Sequence, residues 1–174
     1  TDCYLGNNIH YESIPNYISM KMNVDYFVKD ITESFLQDFI KYPGDRRFIS
    51  KIIYHGKLIY SMNKITDFDF EKIIGISQEN LNWLTENELE IWEYFIKNNI
   101  IFSTDISLDK RFINDAPYSK FGLSIDFESS PMVGKWIGYN IVKSYQKKQS
   151  VELKNLVTMN EYDLYLKSNY SPRK

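Results

Sequence analysis

Hydrophobic positions along this chain recur mainly at spacings of three and four, the signature of helices rather than strands. Val24, Phe27, Val28, Ile31, Phe35 and Phe39 gather on one side of a first helix, with Asp30, Glu33, Ser34 and Gln37 largely on the other. Tyr42-Pro43-Gly44-Asp45 ends that run, because proline and glycine both break helices and Asp45 can cap the next one. A second helix carries Phe48, Ile49, Ile52, Ile53, Ile59, Tyr60 and Met62. Gly56 lies inside it at a cost of ~1 kcal/mol against alanine, so a glycine there predicts a close approach by another helix.

Beyond a looser stretch from Thr66 to Phe70, Ser77 opens a short helix with Leu81 and Leu84. Thr85-x-x-Glu88 has the form of a capping box for a longer helix with Ile91, Trp92, Phe95 and Ile96, ending at Asn98-Asn99. The segment from Phe102 to Glu128 reads as a long loop with one helical turn around Asp109 to Phe112. Loops of that length tend to be functional or disordered, and Phe102, Phe112, Tyr118, Phe121 and Phe127 favour an ordered crossing of the core. Ser130-Pro131 predicts an N-cap followed by proline at the first helical position. The helix behind it carries Val133, Trp136, Ile137, Ile141, Val142 and Tyr145, with Gly134 and Gly138 one turn apart as a second point of close packing. Ser150 and Asn160 read as caps of shorter helices, and Ser171 to Lys174 as a frayed end. The expected fold class is mainly α, a single mostly helical domain over residues 1–174 with a short strand near Cys3 to Gly6.

Composition narrows the function classes. With 43% hydrophobic and 16% aromatic residues in 174, the chain can bury a core and is not disordered by default. A formal charge of −2 gives no overall field toward nucleic acid or an anionic membrane, so no nucleic-acid partner is expected. One cysteine, Cys3, and two histidines, His10 and His55, are too few for a closed His/Cys zinc site. No apolar run approaches the ~18–20 residues a membrane-spanning helix needs.

Motifs that carry chemistry are missing. His-Glu-x-x-His, which places two imidazoles on one helix face beside a general base, is absent. So are a Gly-x-Ser-x-Gly elbow and a phosphate-cradling glycine loop. His55 reads as a structural or partly exposed helix residue, and His10, beside Asn7-Asn8 and Tyr11, as a surface turn residue. Asp67/Asp69 and Glu86/Glu88/Glu90 offer paired carboxylates, but acids at a helix start are explained by the macrodipole. Lys143, Lys147 and Lys148 read as a solvated helix end. No cofactor, catalytic residue or metal ligand is expected from these patterns.

A series of ordered segments carries more information together than any one does alone. They are Tyr4-Leu5-Gly6 with Tyr11 to Ile18, Tyr26-Phe27-Val28-Lys29-Asp30-Ile31, Lys51 to Tyr60, and Glu86-Asn87-Glu88 with Ile91 to Ile96. Phe102-Ser103-Thr104-Asp105, Pro117, Gly134, Trp136-Ile137-Gly138-Tyr139 and Ile141 to Tyr145 complete the series. In this order the chain resembles the gliding-motility lipoprotein family GldB, found in Bacteroidetes. The resemblance implies the C-terminal half of a longer lipoprotein of the cell envelope, working beside the type 9 secretion machinery with other gliding-machinery proteins as partners. It implies membrane contact only through an acylated cysteine absent from this chain; Cys3, without a preceding apolar region, does not match that anchor.

The family is also distantly similar to zincin-type zinc proteases. In that comparison the helix Tyr26 to Ile40 takes the place of the active-site helix, and Tyr54-His55-Gly56-Lys57 that of a downstream Glu-Gly element supplying the third ligand. Here Val28-Lys29-Asp30-Ile31-Thr32 contains no histidine, and His55 stands where the glutamate would be. The resemblance therefore implies a bundle-like, zincin-like scaffold without metal or cofactor. Its expected role is non-catalytic and protein-binding, with Asp30, His55 and Tyr139 as remnants of a cleft. The alternative is a divergent metal-dependent hydrolase using carboxylates and His55.

Overall fold

A computed structural model describes residues 13–124 and 126–172. The helices are α1 (Asn16–Ser19), α2 (Phe27–Phe39), α3 (Phe48–Thr66), α4 (Phe70–Ile74), α5 (Gln78–Glu86), α6 (Glu88–Lys97), α7 (Ser107–Phe112), α8 (Val133–Gln149), α9 (Leu153–Thr158) and α10 (Glu161–Ser168). The described residues are mainly helical and include no strand. The strand expected near Cys3 to Gly6, the turn at His10 and the last two residues of the frayed end lie outside the described residues.

Two long helices, α3 and α8, form the centre. Ile49, Ile52, Ile53 and Leu58 of the first and Val133, Ile137, Ile141 and Val142 of the second are almost completely buried. The glycines set how close these helices come. A methyl group on Gly138 would collide with the backbone carbonyl of Ile52, and one on Gly56 with the carbonyl of Gly138. One turn earlier, a Cβ on Gly134 would sit 2.9 Å from the carbonyl oxygen of Phe112. Gly56 thus receives a neighbouring helix, as its place in an apolar run predicts. Around this pair, Phe48, Phe95 and Phe112 form an edge-to-face aromatic cluster joining α3, α6 and α7.

Two buried lysines tie the outer helices to α3. Lys51 Nζ binds both carboxylate oxygens of Asp109 on α7, at 2.9 and 2.8 Å. Lys57 Nζ donates to Glu161 of α10 at 2.5 Å and to the carbonyl of Met159 at 2.9 Å. Each lysine occupies an otherwise apolar helix face, where an ammonium is tolerated only with such partners.

Several helix ends differ from what local patterns predict. Thr85 is inside α5 and donates its hydroxyl to the carbonyl of Leu81 at 2.9 Å, so there is no capping box. Glu88 instead accepts from Asn140 Nδ2 at 2.8 Å and from the Tyr170 hydroxyl at 2.7 Å, a tertiary role that a local motif cannot show. Ser130 is not the cap of α8; Met132 precedes the helix at φ 57°, and the Val133 N–H donates to Ser119 Oγ at 3.3 Å. Ser150 is the left-handed C-cap of α8 rather than the start of α9. Ser77 and Asn160 do cap α5 and α10. Asp45 helps start α3 by accepting from the Arg47 N–H at 3.0 Å and Ser50 Oγ at 2.6 Å.

The largest departure is α2. Its apolar side faces outward, with Phe27, Val28, Ile31, Phe35 and Phe39 between 47% and 57% exposed, while only Leu36 within the helix is buried. Lys29 and Glu33 lie on the inner side, joined by an i, i+4 ion pair of 3.0 Å.

Candidate functional site

A small cavity of about 140 Å³ lies where α2, α3 and α8 meet. Leu58, Met62 and Ile73 supply apolar walls, and the polar lining comes from five separate places in the sequence. Lys29 and Glu33 enter from the inner side of α2, His55 from α3, Lys135 from α8, Lys21 from the segment before α2, and Asp115 from the loop after α7.

The charges are paired unevenly. Lys29 has two carboxylates, Asp30 at 2.6 Å and Glu33 at 3.0 Å. Burial alone would lower its pKa, but Glu33 and Asp30 together hold it above the ordinary lysine value. At the other end, Lys21 and Lys135 share one carboxylate, Asp115, at 3.1 and 4.0 Å. Lys135 also lies 3.3 Å from the sulfur of Met132, a weak acceptor. Burial pulls the Lys135 ammonium below its ordinary pKa, although Asp115 and Glu33 oppose that shift. His55 is pushed down to about 3 by burial, with the Lys135 ammonium adding to it, so the imidazole is neutral near pH 7.

The three residues expected as a residual cleft do not all meet. His55 lines the cavity. Asp30 reaches its edge through the ion pair to Lys29. Tyr139 lies elsewhere, its ring against Phe70 at 5.1 Å and Tyr60 at 6.5 Å, beside a separate open groove with Lys64 and Lys143. Sequence reasoning did not single out Lys21, Lys135 or Asp115. Each is an ordinary surface residue type with no spacing that links it to the others. The Lys29/Glu33 pair was the one visible signal, since i, i+4 opposite charges favour each other on a helix.

The chemistry available in the cavity is limited. No serine, threonine, cysteine or tyrosine lines it among the described residues, so a nucleophile would have to be water, a lysine amine, a carboxylate or the imidazole. An imidazole with a pKa near 3 is a weak general base at neutral pH. Among the described residues, no three His, Cys, Asp or Glu side chains converge as ligands for a metal ion.

A second feature is an apolar surface. The outward stripe of α2 continues into a groove of about 400 Å³ against α9, walled by Phe35, Leu36, Phe39, Leu153 and Val157. The Phe35 and Phe39 rings pack 4.9 Å apart along it. Elsewhere the loop after α7 folds tightly, with the Asp126 carboxylate accepting from the N–H groups of Phe121, Gly122 and Leu123. It leaves Leu123 and Phe127 exposed. No helix among the described residues is long and apolar enough to cross a membrane.

No curated protein and no solved structure matches this chain with significance. The family model for the gliding motility protein GldB matches residues 1–172, nearly the whole chain, and the chain therefore belongs to the GldB family of gliding motility lipoproteins.

Proposed function

We propose that this chain is a non-catalytic binding component of the gliding apparatus at the cell envelope, carried by a lipid-anchored precursor, and that α2 is its principal contact element. The observation that carries this reading is the orientation of α2. Its hydrophobic stripe faces solvent, while Lys29 and Glu33 face the protein. Contiguous apolar surface of this kind marks interaction sites.

The fitting occupant is an amphipathic helix of another envelope protein. Val24, Val28, Ile31, Phe35 and Phe39 follow one another at spacings of three and four, so their stripe runs straight along the helix, and the groove against α9 gives it a wall. Asp25 and Asp38 are exposed near the stripe, with Lys41 beyond its end. That acidic border repels an anionic bilayer and complements a helix edged with lysine or arginine.

The zincin-like origin proposed for the scaffold is compatible with this role. On that reading α2 takes the place of an active-site helix without its histidines, and His55 shares its cavity with three lysines and two carboxylates. Elemental analysis finding stoichiometric zinc in purified protein would refute a metal-less scaffold. A photo-crosslinker at position 35 of the intact lipoprotein tests the binding reading in cells. The expected adduct maps by mass spectrometry to a segment with apolar residues at helical spacing, and is absent with the crosslinker at exposed Glu79. An adduct with lipid alone, or equal adducts from both positions, would overturn it.

A further inference from the structure

We infer that the cavity between α2, α3 and α8 is a binding site for a single carboxylate group, seated between Lys135 and His55. The inference is independent of the surface of α2 and rests on the cavity's own geometry and charge.

Three ammonium groups, Lys21, Lys29 and Lys135, line the cavity against two carboxylates, Glu33 and Asp115. Lys29 is fully matched, since Asp30 joins Glu33 on it. With Asp30 counted the charges balance in number but not in place: two carboxylates sit on Lys29, and positive charge is in local excess at the other end, where Lys21 and Lys135 share Asp115. Lys135 is the less satisfied of the two. An ammonium has three protons to donate, and its neighbours are a thioether at 3.3 Å and a carboxylate at 4.0 Å. Its side chain is only 20% exposed, so water offers limited compensation.

The same cavity holds a partly buried imidazole that is kept neutral chiefly by burial, with the Lys135 ammonium adding to the effect. A carboxylate placed between the two would accept from the Lys135 ammonium and offset the part of the His55 shift that comes from that ammonium. Its negative charge would favour the protonated imidazole and raise the His55 pKa, while a neutral imidazole can still donate its N–H to the carboxylate. The groups facing His55 are Lys29 and Glu33 from α2, Lys135 from α8, Lys21, and Asp115; α4 contributes only Ile73 and Ile74. The cavity, about 140 Å³, is roomy enough for a carboxylate group.

The carboxylate could belong to a free small acid or to an Asp or Glu side chain of a protein. Titrating the full chain with acetate, with acetamide as the neutral control, reads the site through the His55 imidazole NMR signals, which a His10→Gln variant separates from those of His10. Acetate is expected to shift them saturably, to raise the His55 pKa by at least one unit, and to lose both effects in Lys135→Met. Lys135→Arg, which keeps the charge, should retain part of the response if the site is electrostatic. Saturation by an Asp-containing peptide but not by acetate supports the site with a protein as the source. No saturable response to either probe, or the same response in Lys135→Met with the fold intact by circular dichroism, overturns the inference.

Discussion

At the scale of single residues, the strongest constraints come from atoms that are absent or charged in unusual places. Gly138 and Gly56 let α3 and α8 touch through their backbones, and the obstacle to a side chain at Gly138 is the carbonyl of Ile52, which cannot rotate away. Gly138→Ala should therefore destabilise the protein by ~3 kcal/mol or more, read as a lowered midpoint of thermal unfolding. Lys57 gives a different test. Lys57→Met leaves the buried Glu161 carboxylate without its cation, and should cost about 3–5 kcal/mol in denaturant unfolding. The double change Lys57→Met/Glu161→Leu should recover much of that loss, because no uncompensated charge remains.

His55 adds a pH dependence whose sign follows from its environment. In the unfolded chain its pKa is ~6.5, and in the folded protein it is about 3. Between those values the unfolded state binds a proton that the folded state does not, so stability falls as pH drops through that window. The slope approaches ~1.4 kcal/mol per pH unit. Urea midpoints at pH 7 and pH 5 should differ by less in His55→Gln than in the wild type; equal pH sensitivity would remove His55 from the account.

At the scale of elements, the sequence was informative where a pattern is local and misleading where a partner is distant. Apolar periodicity located the principal helices, because a 3.6-residue repeat depends only on neighbours along the chain. Ser77 and Asn160 were legible as caps for the same reason. Thr85 and Glu88 were not, since Glu88 is taken by Asn140 and Tyr170, 52 and 82 residues away. The orientation of α2 was the least legible of all. Periodicity identifies which residues share a face, but not whether that face meets the core or the solvent. Lys29 and Glu33 settle the matter by pairing over a polar cavity. If the outer stripe serves binding rather than folding, Phe35→Ser and Phe39→Ser should each change unfolding free energy by no more than ~0.5 kcal/mol. A much larger loss in calorimetry would place those rings in the core.

On the scale of the whole molecule, one helical body carries two separable features, an apolar surface on the outside of α2 and a charged cavity beneath it. The fold class was legible from periodicity, and the family from ordered segments spread along the chain. The cavity was not, because Lys21, Lys29, His55, Asp115 and Lys135 are brought together only by the packing of α2 and α8 on α3. The central claim is that this GldB-family chain works by presenting the outer face of α2. The most direct test is the gliding of cells whose lipoprotein carries Ile31→Ser, Phe35→Ser and Phe39→Ser together. Gliding should be lost while the protein remains folded and at its normal level in the envelope. Wild-type gliding by those cells would contradict the claim.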